Sequence, residues 1–318
     1  MKKREAKPGV APALPGDVEV SLIPNNKLLH LYAAMLKCRM IANAVANGAT
    51  GRRQRPLLLS EAITAGVTID LLASDAISPV PSDLTPCALK GAALKTLLRW
   101  WSNPSTRVPR VFARANVIPP SPSTAARLEA ALRLAAHFRS TKSGSVVVFL
   151  DGPDAPRSRL AASPALPPKL LRSYLRQAAR ERLPVLFVRQ SDEDSNDSLD
   201  LSGQCGVPGM AVDCDDVVAV YRVASEALSH ARRGNGPTLI DAKPWRPKGR
   251  LRKTREVRDS IRKMELYLAG KGLAFRWVKD RIAKEFPAQP AGARKAFAGT
   301  GKTKYSASER RVPIVPSP

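Results

Sequence analysis

The sequence predicts a doubly wound α/β fold with a mostly parallel sheet and helical flanks. From Ala125 onward, segments with helical periodicity alternate with short apolar runs of strand length. Such alternation is typical of a parallel sheet that is covered by helices on both faces. A hydrophobic content of 44% over 318 residues allows the large core that this fold requires. No apolar run approaches the roughly 18 residues of a membrane-spanning helix.

The N-terminal part is predicted to be helical after a flexible arm. Residues 1–24 are polar and proline-rich, and this composition is typical of an arm without regular structure. Apolar residues then recur at helical spacing up to Gly48, and Asn26 is suited to cap the start of this first helix. The second and third helices are predicted over residues 60–72 and 84–101.

The alternating part supplies the sheet. The predicted strands are SVVVFL, PVLFV, GMAVDC and PTLIDAKPW, and the predicted helices among them are AARLEAALRLAAHFRS, PKLLRSYLRQAARERL and DVVAVYRVASEALSHARRG. In the last helix, Asp216 is suited to the N-cap, and Gly234 can adopt the left-handed conformation at the C-terminal end. Two more helices are predicted over 256–271 and 274–286, and residues 287–318 have the composition of a disordered basic tail.

Charge is unevenly distributed along the chain. The formal net charge is +25, and residues 246–318 carry 20 Lys/Arg against six Asp/Glu, whereas residues 192–200 carry five acids and no base. A basic segment of this kind can bind nucleic acid or another polyanion. Few aromatic residues are interleaved with the basic residues of the predicted helices (Tyr267, Phe275 and Trp277), and we expect the helices to need them for packing. We therefore expect any nucleic-acid binding to be non-specific and confined to residues 246–318.

The four cysteines predict reduced thiols. Cys38, Cys87, Cys205 and Cys214 form no C-x-x-C pair and have no histidines near them in the sequence. Buried, reduced thiols suit a cytoplasmic protein. The basic N-terminus also lacks the apolar core of a secretion signal.

Ordered motifs between Cys205 and Arg246 carry a family resemblance. They are Gly-x-Pro-Gly at 206–209, a strand that ends in Val-Asp, Asp-Asp-Val at the start of a helix, and Gly-Pro-Thr-Leu-Ile at 236–240. In this order they closely resemble the alpha subunit of thiamine-diphosphate-dependent 2-oxo acid dehydrogenases of the pyruvate type. LLHLYAAMLKCRMI resembles the family's first helix, and LSEAITAGVTIDLLASDAI resembles its Gly-x-Glu-Ala helix.

The resemblance implies one alpha-subunit-like domain over 25–286 with a sheet of the thiamine-diphosphate-binding type. It also implies a function. A member of this family joins a beta subunit, binds thiamine diphosphate and magnesium, decarboxylates a 2-oxo acid and passes the acyl group to lipoamide. The partner implied for this chain is such a beta subunit, or further copies of the chain in a homo-oligomer.

The family's cofactor motif appears in altered form at the end of the strand SVVVFL. Gly-Asp-Gly has become Leu150-Asp151-Gly152, so that Asp151 and Gly152 are the cofactor-binding candidates by resemblance. Alignment of the next strand places Ser191 and Asp192 at the family's two asparagines, which makes Asp151 and Ser191 the candidate metal ligands. Magnesium requires several oxygen ligands in octahedral geometry, and leucine adds a side chain where glycine lets the backbone approach closely. We expect thiamine diphosphate and magnesium to bind weakly or not at all.

Other active-site positions of the family have also changed, and no catalytic residue is predicted. The family's Tyr-Arg-x-His region corresponds to Ser78–Asp83, which contains neither arginine nor histidine. Arg250 stands at the histidine of a later loop, and a guanidinium does not exchange protons near neutral pH. All three histidines of the chain fall on predicted helices outside these motifs.

Three hypotheses about function follow. The first is a degenerate paralogue, a pseudoenzyme that keeps the fold with weak or lost catalysis. The second is an active subunit whose atypical cofactor ligands are completed by a beta subunit, and the third is a basic polyanion-binding protein.

The acidic run after PVLFV and the basic run after PTLIDAKPW leave the sheet at one edge, where they either pair or form separately solvated loops.

Overall fold

The described part of the chain forms one five-stranded sheet in which every neighbouring pair of strands is parallel. The computed structural model describes residues 23–48, 59–81, 83–102, 109–121, 123–152, 168–191, 197–244 and 259–285. The strand order is β1-β2-β3-β5-β4. The strands are β1 (Ala76–Ser78), β2 (Val147–Asp151), β3 (Val185–Gln190), β4 (Gly209–Asp213) and β5 (Thr238–Lys243). The predicted α/β class with a mostly parallel sheet is confirmed.

Eleven helices occur within the described residues. They are α1 (Asn25–Gly48), α2 (Glu61–Thr68), α3 (Thr85–Leu89), α4 (Leu94–Ser102), α5 (Arg110–Arg114), α6 (Thr124–Ser140), α7 (Pro168–Arg180), α8 (Asp197–Gln204), α9 (Val217–Arg232), α10 (Ser260–Gly270) and α11 (Arg276–Glu285). None of these helices is both long and apolar enough to cross a membrane.

The two faces of the sheet are covered by different helices. On one face, α2 and α9 pack on the apolar residues of the central strands, among them Leu186 and Ile240. On the other face, α6 and α7 cover Phe149 and Phe187. A third apolar cluster joins α1 to α10 and α11 outside the α2–α9 layer. Side chains alternate between the faces along each strand, so neighbouring residues of one strand belong to different clusters.

Local capping explains where several helices begin. The Asp216 carboxylate accepts hydrogen bonds from the amides of Val218 and Ala219, which confirms the predicted N-cap of α9. Ser60 caps α2 in the same manner, through a hydrogen bond from the Ala62 amide. Gly234 follows α9 with φ 77°, the left-handed conformation expected there.

The sequence-based prediction differs from the structure in several short elements. The third helix was predicted as one helix over 84–101 but is divided into α3 and α4, because the chain turns at Gly91 with φ 97°. Strand β1 and the helices α5 and α8 were not predicted. Several predicted features lie outside the described residues. They are residues 1–22 of the arm predicted over 1–24, the tail predicted over 287–318, the acidic residues 192–196 and the basic residues within 245–258.

Candidate cofactor site

The carboxyl ends of the strands meet at one edge of the sheet, where parallel α/β proteins bind their ligands. Asp151 ends β2, and Ser191 directly follows β3. The register pairs Asp151 with Arg189 across β2 and β3, and pairs Arg189 with Asp241 across β3 and β5. The predicted site residues therefore come together at this edge, in the company of two charged residues that the sequence analysis did not single out.

Asp151 has a cation of the same chain beside it. The Arg189 Nε atom lies 3.8 Å from Asp151 Oδ2, and both side chains are partly exposed. An ion pair with this exposure contributes only about 0–1 kcal/mol to stability. Its importance is positional, because a guanidinium stands where a metal ion would need to approach the carboxylate.

The Ser191 side chain is hydrogen-bonded to a buried carboxylate. Its hydroxyl donates a hydrogen bond to Asp241 Oδ1, and Asp241 is fully buried. The other carboxylate oxygen of Asp241 lies 3.1 Å from the Lys243 Nζ atom. A buried carboxylate needs such partners, because an uncompensated charge in the interior is strongly destabilising. The Ser191 hydroxyl is thus already hydrogen-bonded to a carboxylate of the same chain, that of Asp241.

Gly152 faces apolar side chains where a cofactor-binding glycine would leave open space. A Cβ atom placed on Gly152 would lie 2.9 Å from Leu59 Cδ2 and 3.5 Å from Val80 Cγ2. Leu59 and Val80 are buried in the same core cluster as Leu150. Leu59 opens the Leu-Ser-Glu-Ala stretch that resembles the family's Gly-x-Glu-Ala, so a leucine stands at that glycine and fills the space beside Gly152.

The N-terminus of α2 is fixed over the neighbouring strand ends. The Ser60 amide donates a hydrogen bond to the Gln190 side chain at 2.9 Å, and the Ser60 hydroxyl lies 3.5 Å from Asp215 Oδ1. Leu59 and Ser60 therefore contact residues at the ends of β2 and β3 and just after β4.

A buried arginine supports the ends of β1 and β2 from the opposite layer. Arg127 of α6 donates hydrogen bonds from Nη1 to the carbonyl oxygens of Pro79 (2.8 Å) and Leu150 (3.1 Å). Its guanidinium carbon lies 4.9 Å from the centroid of the Phe149 ring. These contacts hold the backbone just after β1 and just before Asp151. In the sequence, Arg127 is distinguished only by its place on a predicted helix.

Asp83 is the one residue of the Ser78–Asp83 region with a charged side chain. Burial raises its pKa to about 6, although hydrogen bonds from the hydroxyl and amide of Thr85 oppose this rise. The negative charge of Asp83, after burial itself, also raises the pKa of the Cys87 thiol. Both buried thiols near this acid, Cys38 and Cys87, are free cysteines.

One group of potential metal ligands occurs among the described residues, at the end of β4. Ligand atoms of Asp213, Cys214 and Asp215 lie within 4.8 Å of one another. The Lys263 ammonium, however, lies 2.6 Å from Asp213 Oδ2, and the other oxygen of Asp213 accepts the Asp215 amide. A cation of the chain is therefore already paired with Asp213.

The residues at the carboxyl edge do not fit magnesium and thiamine diphosphate. Magnesium requires near-octahedral oxygen coordination, whereas Asp151 lies beside Arg189 and the Ser191 hydroxyl is bonded to Asp241. Space beside Gly152 is filled by Leu59. The described residues therefore support no reaction step that passes through this cofactor.

Comparison with known proteins agrees with the resemblance seen in the motifs. Residues 189–288 match the family described as the dehydrogenase E1 component. The alpha subunit of acetoin:2,6-dichlorophenolindophenol oxidoreductase from Bacillus subtilis is 32% identical over 127 residues, which are 36% of this chain and 34% of that protein. The alpha subunit of the pyruvate dehydrogenase E1 component from Acholeplasma laidlawii is 26% identical over 242 residues, which are 70% of this chain and 66% of that protein.

Other matches cover smaller parts of longer proteins. The chloroplastic pyruvate dehydrogenase E1 subunit alpha-3 of Arabidopsis thaliana is 32% identical over 35% of this chain and 29% of its own length. The chain thus spans about a third of the Bacillus and Arabidopsis relatives. Among solved structures, a transketolase from Campylobacter jejuni matches 82% of this chain and 46% of its own, with 15% identity and a TM-score of 0.47.

The sequence comparisons and the motifs point to the same proteins. The strongest motifs, which lie between Cys205 and Arg246, fall inside the matched segment 189–288. Within that segment the structure has the parallel strands β4 and β5 with α9 between them. Part of the chain is therefore similar to the alpha subunits of pyruvate and acetoin dehydrogenases, and residues 189–288 match the dehydrogenase E1 component family.

Proposed function

We propose that this chain is an alpha-subunit-like protein that has lost thiamine diphosphate and, with it, the decarboxylation of a 2-oxo acid. The packing of Leu59 against Gly152 carries this proposal, because a Cβ atom at Gly152 would lie only 2.9 Å from Leu59 Cδ2. A cofactor atom beside that glycine would meet the same side chain. In this proposal the protein is a pseudoenzyme that keeps the α/β scaffold.

The charges at the strand ends support the same conclusion. Magnesium bound to a diphosphate would have to displace Arg189 from Asp151 and separate the Ser191 hydroxyl from Asp241. Asp241 is fully buried, so loss of the hydrogen bond from Ser191 would leave its Oδ1 atom without this donor, while Oδ2 is paired with Lys243. The resident contacts therefore oppose the ion at each candidate ligand.

The alternative is an active subunit whose site is completed by a beta subunit. This alternative requires partner atoms to supply the missing magnesium ligands and to move Leu59 away from Gly152. It predicts cofactor binding only when both chains are present. A beta subunit remains the proposed partner in either case, because the chain is related to alpha subunits, and a cytoplasmic location remains a prediction that suits its four free, buried cysteines.

Calorimetric titration with thiamine diphosphate and magnesium tests the proposal. We expect no binding to the chain, either alone or mixed with a beta subunit of the family. We also expect the titrations of the wild type and of Asp151→Ala to be the same. Micromolar, magnesium-dependent binding that Asp151→Ala abolishes would contradict the proposal. Binding only in the presence of the beta subunit would favour the alternative.

A further inference from the structure

The outer surface of the helix pair α10–α11 exposes two aromatic rings. Tyr267 in the last turns of α10 is 37% exposed, and Trp277 in the first turn of α11 is 46% exposed. The expectation that the aromatic residues of this region serve packing is correct for Phe275, whose ring packs edge-on against Tyr32 at 5.5 Å between centroids. It is wrong for Tyr267 and Trp277. Only a short turn separates α10 from α11, so both exposed rings lie near the same end of the helix pair.

A basic side chain accompanies each exposed ring. The Lys271 Nζ atom lies 5.4 Å from the centroid of the Tyr267 ring, and the Arg281 Cζ atom lies 5.0 Å from the centroid of the Trp277 ring. Each cation is four residues after its ring, so ring and cation share one face of the helix region. Lys284, also exposed, continues the stripe of Trp277 and Arg281 along α11.

Carboxylates of the same helix pair are directed toward α1. Asp259 pairs with Arg39 at 2.8 Å, and Glu285 pairs with Lys37 at 3.0 Å. Glu265 accepts the hydroxyl of Tyr32 at 2.6 Å. Glu265 also pairs with Lys279 at 3.4 Å, and Glu285 also lies 4.0 Å from Arg281 Nε. Five basic residues of α10 and α11 are exposed, whereas two acids, Asp280 and Glu285, are exposed. The exposed surface of the pair therefore carries an excess of positive charge. The exposed basic residues are Arg262, Lys263, Arg276, Arg281 and Lys284.

The sequence on both sides of the helix pair adds to this charge. Residues 246–318, which include α10 and α11, hold 20 Lys/Arg against six Asp/Glu. A polyanion held on the outer surface would therefore have basic sequence immediately before and after its contact. Such a partner would be attracted over a distance of about one Debye length, roughly 8–10 Å at ordinary salt.

We propose that the outer surface of α10 and α11 binds single-stranded nucleic acid, with Tyr267 and Trp277 stacking on bases and Arg281 and Lys284 contacting phosphates. Single strands offer unpaired bases to aromatic side chains, and a groove or surface that combines rings with cations is the usual way to bind them without sequence preference. Charge alone would serve any polyanion, whereas the exposed rings favour one that carries bases. This inference does not depend on whether the cofactor site is closed.

The test uses the full chain and a fluorescently labelled oligouridylate of about 16 nucleotides. We expect binding that weakens steeply between about 50 and about 200 mM salt. Tyr267→Ala and Trp277→Ala should each weaken it about fivefold or more, with little change in the salt dependence. Arg281→Gln should weaken it and also reduce the salt dependence, because fewer counterions are released.

Two matched controls separate stacking from charge. Leu266→Ala removes an apolar side chain of α10 that is 59% exposed and should leave the affinity unchanged. Inorganic polyphosphate, which has charge but no bases, should bind the Tyr267→Ala and Trp277→Ala variants as well as it binds the wild type. The proposal is overturned if these two variants keep the affinity of the wild type for the oligouridylate. It is equally overturned if Trp277→Ala weakens binding to phosphatidylserine vesicles but not to the oligouridylate.

Discussion

Removal of the buried charge of Asp83 should change how the stability of the protein depends on pH. Asp83 is fully buried between β1 and α3, and its carboxylate accepts the amide and hydroxyl of Thr85. Asp83→Asn keeps the shape and the accepting oxygen but removes the titration. The substitution therefore isolates the energetic consequence of the charge.

The size of the effect follows from the pKa. Burial raises the pKa of Asp83 from 3.8 to about 6 in the folded protein, and a shift of one pKa unit corresponds to about 1.4 kcal/mol. Because the folded-state pKa lies above the unfolded one, this contribution to stability is fully present below about pH 4 and is lost as the pH rises through about 6. Ionisation of Asp83 should thus cost the folded wild type up to about 3 kcal/mol at neutral pH.

Urea denaturation of the wild type and of Asp83→Asn at a series of pH values measures this difference. The stability of the variant relative to the wild type should improve by up to about 3 kcal/mol between about pH 4 and about pH 7. Asp280→Asn, which changes an exposed acid of α11, is the matched control and should show no such trend. If the curves of Asp83→Asn and the wild type run parallel over this range, the burial argument is refuted.

Two further predictions concern packing. Arg232→Ala should lower the free energy of unfolding by roughly 2–3 kcal/mol, because it removes the cation that pairs with the fully buried Asp75. Arg233→Ala, at an exposed position, is the control and should change it by less than about 0.5 kcal/mol. Similar losses in both variants, measured by urea denaturation, would contradict the role of the pair. Leu59→Ala should lower the free energy of unfolding by about 2–3 kcal/mol, and Gly152→Ala should lower it by about 1–2 kcal/mol. The loss in the double variant should be about 1 kcal/mol smaller than the sum of the two, because Leu59 Cδ2 is the atom that the new methyl group would meet. Full additivity would mean that Leu59 does not fill the space beside Gly152.

Local patterns in the amino-acid sequence predict the class of the fold and most of its large elements. Strands β2, β3, β4 and β5 and the helices α6, α7 and α9 follow from periodicity, and the start of α9 follows from Asp216. These signals are local, since a cap or an amphipathic face is set by residues within a few positions of one another. The relation to 2-oxo acid dehydrogenase alpha subunits was also readable in ordered motifs. Short elements such as β1 and α8 escaped detection because too few residues carry their pattern.

The composition of the candidate site depends on contacts between residues that are distant in the sequence. The sequence placed Asp151 and Ser191 at strand ends, but it did not indicate that Arg189 lies beside one and Asp241 beside the other. The signal in the sequence for these contacts is a charged residue within each of two otherwise apolar strands, Arg189 in β3 and Asp241 in β5. Partners across a sheet depend on strand order and register, which place residues distant in the chain side by side. Likewise, Leu59 fills the space beside Gly152 because α2 packs over the end of β2, an arrangement that no local pattern encodes.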